Sequence, residues 1–162
     1  MKEVEKSPQL INMWNAEGIF GKKDPLKARL DNDKIAIACI QETHLNEDKR
    51  FGIRGYQTFR MDRKGHKGGV IILVKNDIPA KEIQVKTERP EGSDNVQAEI
   101  HGVNITLNQT NIKVYNVYCP DNKDLSLQAM DIPTDNCLVI GDFNSHSTSW
   151  GYEEKRYKRR RS

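Results

Sequence analysis

Cysteine and histidine are both scarce in this chain, and neither is arranged to staple the fold or to bind a soft metal. The three cysteines, Cys39, Cys119 and Cys137, are odd in number and lack paired spacing. That pattern excludes a disulfide framework, and because each lies in or beside an apolar run, all three read as buried free thiols. The four histidines, His44, His66, His101 and His146, stand far apart with no HExxH or CxxC pattern, which excludes a clustered zinc centre. No apolar stretch approaches the roughly 18 to 20 residues that a membrane span requires. The amino terminus, MKEVEKS, is charged and has no signal-peptide core,. Together these absences predict a nuclear or cytoplasmic protein that is not secreted and has no membrane partner. Internal repeats are absent, and the only biased segment is the basic end.

A strong excess of one charge is lacking too: 26 Lys and Arg stand against 23 Asp and Glu, a net +3. Six of those bases fall in KRYKRRR at 155–161, which leaves 20 bases against 23 acids, or −3, in residues 1–154. A slightly acidic body that handles nucleic acid needs its positive charge locally. Arg54, Arg60, Arg63, Lys64 and Lys67 form one such patch, with Arg60, Arg63, Lys64 and Lys67 as the predicted nucleic-acid contacts and a solvated loop as the alternative use. The tail suits non-specific phosphate binding or a nuclear import signal. With 36% hydrophobic and 30% charged residues over 162 positions, the chain falls in the globular range and has the size of one domain. The expected division is a domain over 8–152 and a disordered basic tail over 153–162.

What is present is a recurring pattern in which an apolar run ends in carboxylates or amides. In LVIGDFNSHSTSWG, residues 138–151, the run Cys137 to Ile140 leads into Gly141 and then Asp142 and Asn144. The run reads as a strand buried on both faces, and the glycine as a tight turn. LINMWN ends in Asn15, IAIACIQE ends in Gln41 and Glu42, and IKVYNVYCPD carries Tyr115 and Tyr118 before Pro120 stops the ladder,. In open α/β sheets ligands collect at the carboxyl ends of strands. Hard oxygen donors there suit Mg²⁺ or Mn²⁺. Alone, Asn15 reads as a turn cap and Tyr118 as a sheet residue. Glu42 and Asp142 point more firmly to a site, because carboxylates at buried strand ends are costly without a cation or donors.

The remaining elements are mostly strands. Pro25 is expected to open a short helix with Leu26 and Leu30 on one face. Thr58 to Arg60 and Gly69 to Lys75 read as an antiparallel pair around the basic turn. Val96 to Leu107 alternates with a phase change near Gly102, and NQTN (108–111) turns it back into Ile112 to Tyr118,. TERPEGSDN (87–95) has loop chemistry.

Four segments in order, WNAEGI, CIQETHL, VYNVYCPD and VIGDFNSHSTSWG, resemble the endonuclease/exonuclease/phosphatase superfamily. With RMDRKGHKGGVIILVKNDIPA (60–80), the chain is more narrowly similar to the endonuclease domain of jockey-like non-LTR retrotransposons. The resemblance covers nearly all of residues 8–152. It implies a DNase I-like α/β (α+β) sandwich of two mixed, mostly antiparallel sheets flanked by helices. It also implies roles: Glu42 as the direct Mg²⁺ (or Mn²⁺) ligand with Asn15 beside it, Tyr118 steadying the phosphate, and Asp142 with Asn144 positioning the attacking water. A phosphodiester resists attack because its anionic oxygens repel nucleophiles and its alkoxide leaves poorly, so such a site needs both a cation and a carboxylate.

The resemblance further implies segments beyond GDFN that supply another aspartate and a terminal Asp-His pair. EEKRYKRRRS at 153–162 matches none of these, and the expectation is a domain truncated at its carboxyl end with its last strands missing. His146 matches a different position, in the loop beyond GDFN, and reads as a loop residue packing or capping beside Trp150, with a catalytic role as the alternative. The expected activity is Mg²⁺-dependent cleavage of DNA, with RNA as the alternative nucleic acid and no small-molecule cofactor. Intact relatives nick DNA to prime reverse transcription. Two other readings stay open: a catalytically inactive nucleic-acid-binding remnant that uses the basic patch and tail, and a phosphodiesterase acting on lipid headgroups. Oligomeric state is not legible.

Overall fold

In the computed structural model, residues 10–63, 67–85, 98–120, 132 and 135–144 are described. Two four-stranded sheets form the scaffold. The first contains β1 (Ile11–Asn15), β2 (Ile37–Gln41), β3 (Tyr56–Met61) and β4 (Val70–Lys75) in the order β1-β2-β4-β3. The second contains β5 (Ala80–Ile83), β6 (Glu99–Leu107), β7 (Thr110–Tyr118) and β8 (Cys137–Asp142) in sequence order. Each sheet has one parallel pair, β1 with β2 and β7 with β8, and is otherwise antiparallel. The mixed, mostly antiparallel sandwich expected from the sequence is therefore present.

Strand alternation explains the layers. Ile37 and Cys39 of β2, Ile72 and Val74 of β4, Val103 and Ile105 of β6 and Val114 of β7 meet between the sheets as one apolar cluster. Ala38, Ile40, Ile71 and Leu73 point the other way, onto Leu26 and Leu30 of helix α1 (Lys23–Asn32). Covered on both faces, β2 and β4 are apolar throughout, as central strands must be. The helix starts two residues before Pro25, so the proline lies in the first turn, where its missing N–H costs nothing. Among the described residues no helix is long and apolar enough to cross a membrane.

Three sequence expectations are corrected. Among the described residues, Cys137–Asp142 pairs only with β7 and ends the strand order of its sheet. It is half-buried, with Leu138 38% exposed, because an apolar run looks alike in a central and an edge strand. Cys137 is accordingly half-buried, whereas Cys39 and Cys119 are buried. Gly141 is a close-approach residue rather than a turn: it lies inside β8 opposite Val117, and a Cβ there would fall 1.8 Å from the Val117 carbonyl oxygen. The apparent phase change at Gly102 is no slip in β6, since Ile100 packs on the outer cluster and Val103 on the inner one. Both faces of the strand's first half are buried.

Candidate active site

Register and parity bring the polar strand ends together. Asn15 pairs with Gln41 at the end of the β1/β2 ladder, and Tyr118 pairs with Asp142 on one side and Glu99 on the other. Asn15, Gln41, Tyr118 and Asp142 share the parity of Ile11, Cys39, Val114 and Ile140, the inward-facing residues of their strands. Their side chains thus converge at one end of the space between the sheets.

Glu42 joins them through a backbone exception. Alternation after Gln41 would send it to the helix side, but its φ of +51 places it in the left-handed region, and its carboxylate meets the inward-facing Asn15 and Tyr118. His44 and Asn144 are also left-handed, at +54 and +41. Non-glycine residues in this region cost on the order of 1–3 kcal/mol each and persist only where surrounding contacts hold them.

Asn15 is the hub. Its Nδ2 donates to Glu42 Oε1 at 3.1 Å and to Asp142 Oδ2 at 2.8 Å, while its Oδ1 accepts from the Glu17 N–H at 3.2 Å. One amide thereby caps a turn and bridges carboxylates from opposite sheets. Asp142 Oδ1 accepts from the Asn144 N–H at 3.2 Å, and Asn144 Nδ2 donates to the Cys119 carbonyl at 2.7 Å. The Tyr118 hydroxyl hydrogen-bonds the Glu42 carboxylate. His44 Nε2 lies 3.5 Å from Glu42 Oε2.

The electrostatics follow from this packing. Burial works against ionisation of Glu42, but hydrogen bonds from Asn15 and Tyr118, with His44 beside it, outweigh that and hold its carboxyl below the ordinary value. Burial, then the hydrogen bond to Glu42 and the negative charge of Glu42, Asp142 and Glu99, raise the Tyr118 hydroxyl far above its usual range. Tyr118 is therefore a neutral donor at all physiological pH values.

Beneath the cluster a polar pin crosses the sandwich. Gln41 Nε2 donates to Asn116 Oδ1 at 2.7 Å, and Asn116 Nδ2 donates to the carbonyls of Ile40 and Ile71 at 2.9 Å each. Both side chains are fully buried.

The basic patch is less free than its sequence suggests. Arg60 is spent on Asp62 and on the carbonyls of Lys49 and Asn46. Arg63 Nε lies 3.6 Å from Glu99 Oε1. Arg54 and Lys67 are exposed. Lys64, His66, His146, Trp150, the 87–95 loop and the basic tail at 153–162 lie outside the described residues. Asn116, Glu99 and His44 were not singled out as site residues from the sequence, and Gln41 was named only as a polar strand ending beside Glu42.

The donor set fits a hard divalent cation. Glu42 and Asp142 both lie close enough to Tyr118 to raise its hydroxyl, and Asn15 and Tyr118 supply neutral donors rather than positive charge. No group of three His, Cys, Asp or Glu among the described residues is arranged to hold a metal by itself.

The sequence profile of the Endonuclease/Exonuclease/phosphatase family matches residues 14–162. Among solved structures, the chain is similar to the endonuclease domain of TRAS1, a telomere-specific non-LTR retrotransposon, with 20% identity and a TM-score of 0.60 over 90% of this chain and 64% of that one. It is also similar to the 3' phosphatase NExo from Neisseria bound to a product DNA hairpin (18% identity, TM-score 0.57, 84% of this chain and 58% of that one). A third likeness is to D. rerio TDP2 complexed with a single-strand DNA product (15% identity, TM-score 0.57, 86% and 62%). At such identities the likeness establishes the fold, and the chain spans between 58% and 64% of the length of these three. No curated protein matches the sequence.

Proposed function

Because this chain belongs to the endonuclease/exonuclease/phosphatase family, we propose that its inter-sheet cluster is a phosphodiester-cleaving site acting on DNA with Mg²⁺ or Mn²⁺. The observation that carries the reading is the Asn15 amide bridging Glu42 and Asp142. It fixes two carboxylates from different sheets at one strand-end cleft without neutralising either. Glu42, with Asn15 beside it, is the cation's ligand, and the bound ion would offset the charge of the scissile phosphate. Asp142 orients the attacking water and accepts its proton. One of its oxygens is fixed by Asn15 and the other by the Asn144 N–H, so the carboxylate is aimed before substrate arrives. Tyr118, kept neutral, would turn its hydroxyl hydrogen from Glu42 to a phosphate oxygen once the Glu42 carboxylate is taken by the cation. Asn144, itself held by the Cys119 carbonyl, keeps the segment after β8 in place.

A binding-only role through the 60–67 patch loses support, because Arg60 and Arg63 already have internal partners. Nicking of supercoiled plasmid in Mg²⁺ against EDTA tests the proposal, with Glu42→Ala and Asp142→Ala alongside. Metal-dependent nicking that both substitutions abolish is the expected result. Folded protein that retains DNA but never nicks it would overturn the reading.

A further inference from the structure

We infer that Glu99 is a positioning residue for Glu42, acting through the Gly68–Gly69 turn; this rests on the reading above that Glu42 binds the cation. Glu99 opens β6 directly opposite Tyr118 and is only 9% exposed. A carboxylate so withdrawn from water must be repaid by donors. Its Oε2 accepts from the Gly69 N–H at 2.7 Å, across the sandwich at the entrance to β4. Arg63 Nε, just after β3, stands 3.6 Å from its Oε1, close enough for an ion pair though not for a hydrogen bond.

The turn that Glu99 anchors in turn holds the segment after Glu42. The Thr43 N–H donates to the Gly69 carbonyl at 3.2 Å, and the His44 N–H to the Gly68 carbonyl at 2.8 Å. On the other side, the Gly18 N–H donates to the Glu42 carbonyl at 2.8 Å and the Ile19 N–H to that of Thr43 at 3.0 Å. Residues 42–44 are thus clamped between two loops, and this clamp keeps Glu42 and His44 left-handed. Both members of the turn must be glycine. Their φ values are +86 and +88, and a Cβ on Gly68 would lie 2.5 Å from Glu99 Oε1, while one on Gly69 would lie 2.5 Å from Thr43 Oγ1. The turn and the carboxylate are therefore fitted to each other. Burial first, and repulsion from Glu42 in part, raise the Glu99 carboxyl above its ordinary value, in keeping with its place behind the cation ligand.

The test compares Glu99→Gln, which keeps an oxygen within reach of Gly69, with Glu99→Asp and Glu99→Ala, which do not. Mn²⁺ binding is followed by calorimetry, amide exchange of Thr43 and His44 by NMR, and plasmid nicking across a Mg²⁺ series. Weakening of Mn²⁺ affinity by ~10-fold or more in Glu99→Asp and Glu99→Ala, with faster exchange at Thr43 and His44 and near wild-type behaviour in Glu99→Gln, is expected. Should Glu99→Ala fail to fold, the Asp and Gln pair decides. Unchanged Mn²⁺ affinity in folded Glu99→Asp would overturn the inference, leaving Glu99 a tie between sheets. Wild-type protein that binds Mn²⁺ through Glu42 yet nicks nothing would sink the cleavage reading alone, and the affinity comparison would still judge Glu99. Wild-type protein that binds no Mn²⁺ overturns both.

Discussion

Replacing Asn116 by alanine is the most demanding test of how this sandwich holds its site. Asn116 is fully buried and makes three hydrogen bonds: two donated to the Ile40 and Ile71 carbonyls and one accepted from Gln41. At ~1 kcal/mol net for each bond, with a further ~1–3 kcal/mol for leaving the Gln41 amide short of its main partner, the loss comes to ~4–5 kcal/mol. The lower part of the range is used because Gln41 Nε2 keeps a 3.3 Å bond to the Cys39 carbonyl. Against the roughly 5–15 kcal/mol of a typical domain, this brings the variant near unfolding at 37 °C. Urea denaturation at low temperature reads the change as a shift of midpoint at constant slope. A cycle with Gln41→Leu, Asn116→Leu and the double variant isolates the pair, and the double variant should cost less than the two singles combined, since removing both partners strands neither. A loss for Asn116→Ala below about 1.5 kcal/mol would refute the accounting, because the three bonds alone exceed it.

Other outcomes are equally definite. Tyr118→Phe removes a preorganised donor and should lower nicking by ~10²-fold or more while leaving Mn²⁺ affinity nearly unchanged; an equal loss in binding would move Tyr118 from phosphate contact to cation site. Gly141→Ala must push β8 away from the Val117 carbonyl, which 1.8 Å cannot accommodate. A cost of at least ~1–3 kcal/mol is expected in urea denaturation, together with loss of the Asn15–Asp142 contact and of nicking. His101 titrates below its ordinary value because burial disfavours its charged form, though Glu82 at 3.0 Å pulls the other way. The unfolded chain therefore takes up this proton first: stability should be level above about pH 6.5 and fall as pH drops from there through the folded value. His101→Gln should flatten that fall, and an unchanged pH dependence of the melting temperature would count against it.

Much of this was legible because apolar runs end where side chains must change character. Asn15, Glu42, Tyr118, Asp142 and Asn144 could be singled out as polar endings of strands, and the structure brings all five to one end of the sandwich. Three things lay outside the reach of pattern. The inward turn of Glu42 depends on a left-handed φ that no local residue type announces. Gln41 and Asn116 meet across 75 positions, so the sequence names Gln41 only as a strand ending and nothing in it announces Asn116 as its partner. Glu99 reads as the polar half of an alternating strand, and its burial follows only once β6 faces the Gly68–Gly69 turn. The correction at Gly141 has the same origin, since its reason is the partner strand rather than a local turn. The hold of Asp62 and two carbonyls on Arg60 is likewise invisible from its place in the basic patch.

The choice of an amide at position 15 explains why these parts make a site rather than a salt bridge. A lysine there would satisfy Glu42 and Asp142 but neutralise them, occupying the place of the cation. An aspartate would add a third like charge beside Glu42 and Asp142 and offer no hydrogen to either neighbour. The amide has two N–H groups, one for each carboxylate, and its oxygen caps the turn that follows β1, so it fixes geometry and leaves the charge standing. Charge left standing in a half-buried cleft is unfavourable for the folded protein by itself. The sandwich bears it because the clamped loop, the Gln41–Asn116 pin and the β7/β8 pairing hold the carboxylates from three directions, and a divalent cation bound there would relieve it.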